Sequence, residues 1–270
     1  MKLLKFILFL ISFGTMAQVG IGTTSPNGIM EINSSISGLV YPVVALTATN
    51  SQTPVLNPNS GTLVPGTVVY NTNLNNAGIN SVYPGTYMWD GSNWIPQFSK
   101  RHSEIFFQNP TVLRTESDLT NQDVPGLGVT ENKFFRTKYN GYYRVEIRVN
   151  FGGGRVTSPV PGDDNAAFQD GTFKFNFNGT TYPVNVKSIS TYDLSSGSTV
   201  FYEGVWKESY LVLFLDLVAA TDYYFSLTFS QSPAPAFNNN GEFGDGRGYV
   251  GKDIPCSIEF TYIEDYTGDI

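Results

Sequence analysis

A regular alternation of apolar and polar residues in the middle of the chain predicts its central strand. Between residues 143 and 151 every second residue is apolar. Successive side chains of a strand point to opposite faces, so this pattern indicates a strand with one face in a core. Just before it, Asn140-Gly141 is typical of a tight turn. The predicted core face comprises Tyr143, Val145, Ile147, Val149 and Phe151, and the opposite face Arg144, Glu146, Arg148 and Asn150.

Similar patterns follow toward the C-terminus. Phenylalanines alternate with polar residues over 173–177, and Asn178-Gly179 then predicts a tight hairpin. Residues 210–218 are almost continuously apolar, which is typical of a central strand covered on both faces or of a strand at a subunit contact. Seven or eight such strands without helical periodicity predict an all-β fold, a β-sandwich or jelly roll, over residues 101–270.

The composition and the charge narrow the function classes. Aromatic residues make up 14% of the chain and charged residues also only 14%, a balance that favours short strands and turns over helices. The formal charge is −7, and the isoelectric point is near 4.7. Nucleic-acid binding needs a basic face, so this charge argues against a nucleic-acid partner. The single cysteine excludes an intrachain disulfide framework.

Residues 1–17 have the pattern of a cleavable signal peptide. Lys2 and Lys5 precede an apolar run, and Thr15-Met16-Ala17 ends it in the manner of a cleavage site. The run is too short for a stable bilayer anchor, and no later segment approaches the length of a membrane span. The sequence therefore predicts an exported protein, secreted or at the cell surface, with no transmembrane segment after cleavage.

Residues 18–100 predict an extended, β-rich N-terminal region. It opens with VGIGTTSPNGIMEIN, continues with GLVYPVVALTAT, and ends with GTVVYN and GTYMWDGSNW. The proline within the second segment favours an edge strand. The opening motif resembles the start of many secreted surface proteins of Bacteroidetes-type bacteria, and it also recurs in phage tail-fibre stalks. The later segments resemble the module that commonly follows it. This resemblance implies a stalk-like or collar-like region.

Residues 104–264 carry a second resemblance. ENKFFRTKYNGYYRVEIRVNF and YLVLFLDLVAATDYYFSLTF are similar to two signatures of the C1q/TNF-like family, and IPCSIEFTYIED stands where that family has its last strand. The chain departs from the family pattern at Thr221, where a glycine is usual, and in a long insertion over 152–172. The resemblance implies a C1q/TNF-like jelly-roll sandwich of ten strands that assembles as a homotrimer.

Few residues offer catalytic chemistry. His102 is the only histidine, so a histidine–nucleophile pair or a multi-histidine zinc site is almost excluded. We expect His102 to be an exposed residue at the junction of the two regions. We expect Cys256 to be a buried structural thiol. The sequence therefore predicts a protein that is not an enzyme and has no cofactor.

Two kinds of candidate binding residue remain. Trp89 and Trp94 could stack on a sugar, although packing within the N-terminal region is the favoured interpretation. Calcium prefers several oxygen ligands in flexible loops, but neither oxygen-rich loop has the spacing of a twelve-residue calcium loop, and such residues are ordinary in turns. The calcium candidates are Asp163 and Asp164 in one loop and Asn240, Glu242 and Asp245 in another.

These observations predict a secreted or cell-surface, non-enzymatic protein of adhesion or recognition, most simply a homotrimer. Its ligand at the cell exterior would be a glycan or a protein. Two alternatives stay open: a carbohydrate-binding module or carbohydrate-active surface protein, and the structural tip of a fibre.

Overall fold

The computed structural model describes residues 18–156, 165–193, 200–203, 205–237 and 246–264. The predicted signal peptide lies outside them. Besides two short 3-10 turns, Gly78–Asn80 and Val129–Glu131, the described elements are strands. None of the described residues belongs to a helix long and apolar enough to cross a membrane. The strands are β1 (Val19–Ile21), β2 (Met30–Ile32), β3 (Val43–Val44), β4 (Val68–Asn71), β5 (Gly85–Trp89), β6 (Trp94–Pro96), β7 (Ser103–Phe107), β8 (Leu113–Arg114), β9 (Gln122–Asp123), β10 (Lys133–Arg136), β11 (Gly141–Gly152), β12 (Asn165–Phe177), β13 (Thr180–Asp193), β14 (Val200–Tyr202), β15 (Trp206–Leu217), β16 (Asp222–Gln231), β17 (Tyr249–Val250) and β18 (Ser257–Tyr262).

The C-terminal part, which we call the head, is a sandwich of two antiparallel sheets. Sheet I has the order β7-β18-β11-β17-β8, with β15 paired to β11. Sheet II has the order β10-β16-β12-β13-β14, with β9 paired to β16. Aromatic and β-branched side chains from both sheets share one core. The fold is thus an all-β jelly-roll sandwich preceded by a smaller β-rich region, as the sequence predicts.

The register predicted for the central strand is confirmed. All five residues of its predicted core face are at most 1% exposed. Strand β11 pairs with β15 along its full length on one side and with β18 on the other. Its side chains therefore meet phenylalanines of sheet II across the sandwich, chiefly Phe173, Phe175, Phe225 and Phe229.

The apolar run over 210–218 is not a central strand, so that interpretation is wrong. It lies in β15, which pairs with β11 and with no second strand among the described residues. Leu211, Leu213 and Leu215 pack against the core, while Tyr210 on the other face is 71% exposed. The run is apolar on both faces, and Tyr210 and Val218 at its two ends are exposed. The second prediction for this run, a subunit contact, is taken up below.

The hairpin predicted at Asn178-Gly179 is confirmed. It joins β12 to β13, which pair over thirteen positions from Phe177↔Thr180 to Asn165↔Tyr192. Asn178 and Gly179 have φ values of 47° and 85°. Both values lie in the left-handed region that a tight two-residue hairpin turn requires and that asparagine and glycine tolerate best.

The N-terminal region contains a second, smaller core. Strands β3-β4-β5-β6 form a four-stranded sheet in which β3 is an edge strand, as the proline pattern predicts. We call residues 43–98 the small module. Farther toward the N-terminus, β1 and β2 form a separate two-stranded parallel sheet. The core of the small module consists of Leu46, Leu63, Val69, Val82, Tyr87, Trp89 and Trp94.

Candidate assembly surface

One face of sheet I points away from the core of the head, and we call it the outer face. It is built by β7, β18, β11 and β15, whose registers place alternate side chains in rows across the four strands. Because the inward-facing residues of these strands fill the core, the residues between them must face outward. The rows are Ser103, Thr261, Arg144 and Phe214; then Ile105, Glu259, Glu146 and Val212; then Phe107, Ser257, Arg148 and Tyr210.

A charged cluster occupies the centre of the outer face. The Glu146 side chain is only 8% exposed and lies between Arg144 and Arg148. Arg148 Nε donates to Glu146 Oε1 at 2.6 Å, and Arg144 donates to the second carboxylate oxygen. Burial raises the pKa of Glu146, but these two hydrogen bonds outweigh it, so the pKa lies below its ordinary value. The carboxylate is therefore ionised at neutral pH and already neutralised within this chain.

This cluster changes the prediction for the polar face of the central strand. The alternation places this face opposite the core. Glu146 and Asn150 are instead buried within one chain. Asn150 Oδ1 accepts a hydrogen bond from the Gly251 N–H at 2.9 Å, and its amide donates to the Ile254 carbonyl. Of the four residues on this face, Arg144 and Arg148 keep accessible side chains.

Apolar side chains border the charged cluster. Ile105 and Phe107 on β7 and Tyr210 on β15 are exposed. Ile105 and Phe107 line a groove of about 340 Å³ together with Ile254 and Pro255. The sequence reasoning above does not single out Ile105 or Phe107. The signal for them is the uninterrupted apolar run over 105–107, which places apolar side chains on both faces of β7.

The outer face suits a protein partner better than a reacting substrate. Exposed apolar side chains supply area that a protein partner can bury, and the neighbouring charges fix the orientation of that partner. The pKa of Arg148 is raised, chiefly by its hydrogen bond to Glu146. The nearby charges of Glu208 and Glu259 raise it further. None of the described residues combines with others into a group of three metal-ligating side chains.

The small module is joined to the head at the turn before β11. Asn140 Nδ2 donates to Ser81 Oγ at 2.7 Å, and its Oδ1 accepts from the Ala219 N–H at 2.6 Å. The rings of Tyr83 and Tyr139 meet edge to face, with centroids 4.9 Å apart. The Asn140-Gly141 turn predicted from the sequence therefore also connects the two parts of the protein.

Trp89 and Trp94 do not form a sugar-stacking platform in this chain. Their rings contact each other with centroids 5.3 Å apart, and the residues are 2% and 1% exposed. A sugar can stack only on a ring face that solvent reaches, so this burial fits the packing interpretation. Trp94 Nε1 donates to the Ser51 carbonyl at 2.8 Å, which ties the ring to the loop beside it.

The five calcium candidates, Asp163, Asp164, Asn240, Glu242 and Asp245, lie outside the described residues. Calcium binding by these residues remains a prediction.

His102 is not the exposed linker residue that the sequence predicts. Its ring is half-buried and stacks on Phe135 with centroids 5.0 Å apart. Its Nδ1 lies 3.3 Å from the Tyr143 hydroxyl. Burial, and then the charge of Lys138, lowers the pKa of His102. The prediction fails because the chain leaving the small module runs back over the start of β11 rather than into solvent.

Cys256 is buried, as predicted, and free. Burial raises the pKa of its thiol to about 12. It packs in the core of the head beside Ile258 and Phe260, so it acts there as a small apolar side chain.

The chain is similar to known proteins in part of its sequence and in its fold. Residues 20–111 match the family model of the phage tail-like trimerisation region. No curated protein matches the chain. Among solved structures, that of the Eiger TNF from S. frugiperda is similar at 10% identity and a TM-score of 0.28, covering 64% of this chain and 100% of that chain. About a third of the chain thus resembles a phage tail-like trimerisation region.

Proposed function

We propose that the mature chain forms a homotrimer and acts as the structural tip of a fibre-like assembly at the cell exterior. Adhesion or recognition would be its role there, without catalysis. The observation that carries this proposal is the outer face of sheet I, which exposes Ile105, Phe107 and Tyr210 around neutralised charges in a single chain. The match of residues 20–111 to a trimerisation region supports an assembly of three chains.

Physical reasons favour coverage of this face by other copies. Clustered exposed apolar side chains on a folded domain mark an interaction site, because leaving them in water forgoes the gain of burying them. Most soluble oligomers are cyclic and built from identical chains. In a cyclic trimer each chain presents the same surface to the axis, so three outer faces would cover one another. The edge strand β15, apolar on both faces, would then lie at a subunit contact.

Export, a Bacteroidetes-type source and a glycan or protein ligand also belong to the proposal. They are supported by the signal-like residues 1–17 and by the motif that opens the mature chain. The carbohydrate-binding alternative loses its sequence-predicted platform, since Trp89 and Trp94 are buried. No other residue in the described part of the chain was predicted to bind a sugar, so the fibre tip is the better supported function.

The test is the mass of residues 18–270 in solution. Light scattering at micromolar concentration should give about three times the mass of one chain. Phe107→Lys and Phe168→Lys form a matched pair, since Phe107 on the outer face is 55% exposed and Phe168 on sheet II is 60% exposed. We expect the first to weaken the trimer and the second to leave it unchanged. A monomeric wild type would contradict the proposal.

A further inference from the structure

Residues 19–33 form a small coil that precedes the small module. Strands β1 and β2 run parallel, so the chain must turn through a full loop between them. The Val19 N–H donates to the Ile29 carbonyl at 2.8 Å, and the Asn33 N–H donates to the Ile21 carbonyl at 2.8 Å. Gly22 has a φ of +76°, and a Cβ placed there would lie 2.1 Å from the Asn33 carbonyl oxygen. The coil therefore depends on a glycine at this position.

The coil exposes an apolar face that none of the described residues covers. The register places Val19 opposite Met30 and Ile21 opposite Ile32, so these four side chains share one side of the two strands. Val19 is 52% exposed, Met30 60%, Ile21 51% and Ile32 41%. No residue between 18 and 43 is buried. A two-stranded sheet of three residues per strand has too little buried area to persist alone. Additional apolar side chains are exposed nearby at Ile29, Ile36, Leu39 and Val40.

The charges of this region indicate what covers the coil. From residue 18 to residue 99 the only charged residues are Glu31 and Asp90. The Glu31 carboxylate accepts the Asn27 N–H at 2.5 Å and its side-chain amide at 3.1 Å. With no lysine or arginine in this stretch, the coil lacks the basic groups that attract a protein to an anionic membrane or to a polyanion. Because this apolar face is almost uncharged, the coils of two identical chains can pack together without charge repulsion.

We propose that the apolar face of the coil is completed by the coils of the other copies in the trimer. This inference rests on the proposed function, because a trimeric head tethers three coils near one another and raises their effective concentration. The small module needs no such partner, since it has its own core and hydrogen bonds to the head of the same chain. Within the matched region 20–111, the coil and the segment up to residue 43 therefore make the contact between chains.

The first experiment changes the apolar face without touching the small module. Residues 18–270 carrying Ile21→Gln and Met30→Gln are compared with the wild type and with Leu56→Gln. Leu56 lies in the small module and is 83% exposed, so it is a matched control. The trimer mass is followed by sedimentation in rising urea, with circular dichroism reporting the fold of the head. We expect the double variant to lose trimer mass at lower urea while the control matches the wild type. Coincident midpoints for all three proteins would overturn the inference.

The second experiment changes the coil without altering its apolar side chains. Gly22→Ala should destroy the coil, whereas Gly28→Ala should not, since a Cβ at Gly28 meets its nearest atom at 3.8 Å. We expect only Gly22→Ala to weaken the trimer, and equal effects of the two would overturn the inference.

The same measurements separate this inference from the proposed function. A wild type that is trimeric and insensitive to all coil variants would overturn the inference and leave the proposed function standing. A wild type that is monomeric would overturn both. Binding of a monomeric wild type to phosphatidylcholine vesicles, lost in Ile21→Gln/Met30→Gln, would assign the coil to a lipid surface instead.

Discussion

The backbone N–H of Asn140 donates a hydrogen bond of 2.8 Å to the hydroxyl of Tyr83. These residues belong to different parts of the protein, since Tyr83 lies in the small module and Asn140 in the turn before the central strand of the head. The Asn140 side chain adds bonds to Ser81 and to the Ala219 backbone. Asn140 thus hydrogen-bonds to the small module through Tyr83 and Ser81 and to the head through Ala219.

Asn140→Ala should weaken the attachment of the small module. It removes both side-chain bonds and leaves the buried Ala219 N–H without a partner, which costs about 1–3 kcal/mol. Thermal unfolding followed by tryptophan fluorescence should shift to lower temperature, since two of the three tryptophans, Trp89 and Trp94, lie in the small module. The control is Asn185→Ala, an exposed residue whose amide oxygen accepts only from Thr172 Oγ1 at 2.9 Å among its described contacts. Equal melting of the two variants would count against this role for Asn140.

Glu146→Gln should make the head less sensitive to acid. The pKa of Glu146 in the folded protein lies below its ordinary value of 4.5, so the stabilisation it provides is present above that value and is lost as the pH falls through the folded pKa. At pH 7 the variant should lose about 1 kcal/mol, because both arginines can still be hydrated. Urea unfolding from pH 7 to pH 3 should show the wild type and the variant converging below pH 4.5. A constant difference across this range would contradict the prediction.

Ile147→Asp should prevent the head from folding. Ile147 is 0% exposed at the centre of the core. Truncation of such a residue to alanine alone costs about 2–5 kcal/mol, and an unpaired buried carboxylate costs more. Against a total stability of about 5–15 kcal/mol, the variant should be largely unfolded or insoluble. Ile105→Asp on the outer face is the control, and circular dichroism should show it folded, with a weaker trimer by light scattering. Normal folding of Ile147→Asp would refute the register of β11.

The thiol of Cys256 should resist alkylation in the native protein. Burial raises its pKa to about 12, and the thiolate is the reactive form. Iodoacetamide at pH 8 should label the wild type only after unfolding in urea, as measured by mass spectrometry. Leu56→Cys adds an exposed thiol and should be labelled at once at that site. Rapid labelling of Cys256 without denaturant would show that this end of the sandwich opens readily.

The sequence alone determined the features that depend on neighbouring residues. Alternation gave the two faces of β11 correctly, because side chains of a strand point to opposite sides whatever the strand pairs with. Asn178-Gly179 gave the hairpin between β12 and β13, because the turn conformation is a property of those two residues. The all-β class, the edge position of β3 and the buried thiol of Cys256 followed from similarly local patterns.

Only the tertiary structure decided which faces of the predicted strands are covered. The run over 210–218 predicts a buried strand equally well in the middle or at the edge of a sheet, and pairing with β11 alone makes it an edge. The same holds for Glu146 and His102, whose burial depends on residues far away in the chain, such as Phe135 beneath the histidine. Exposure of the coil around Ile21 also appears only when the whole chain is folded. Burial is set by contacts between distant segments, and a local pattern carries no record of which segments meet.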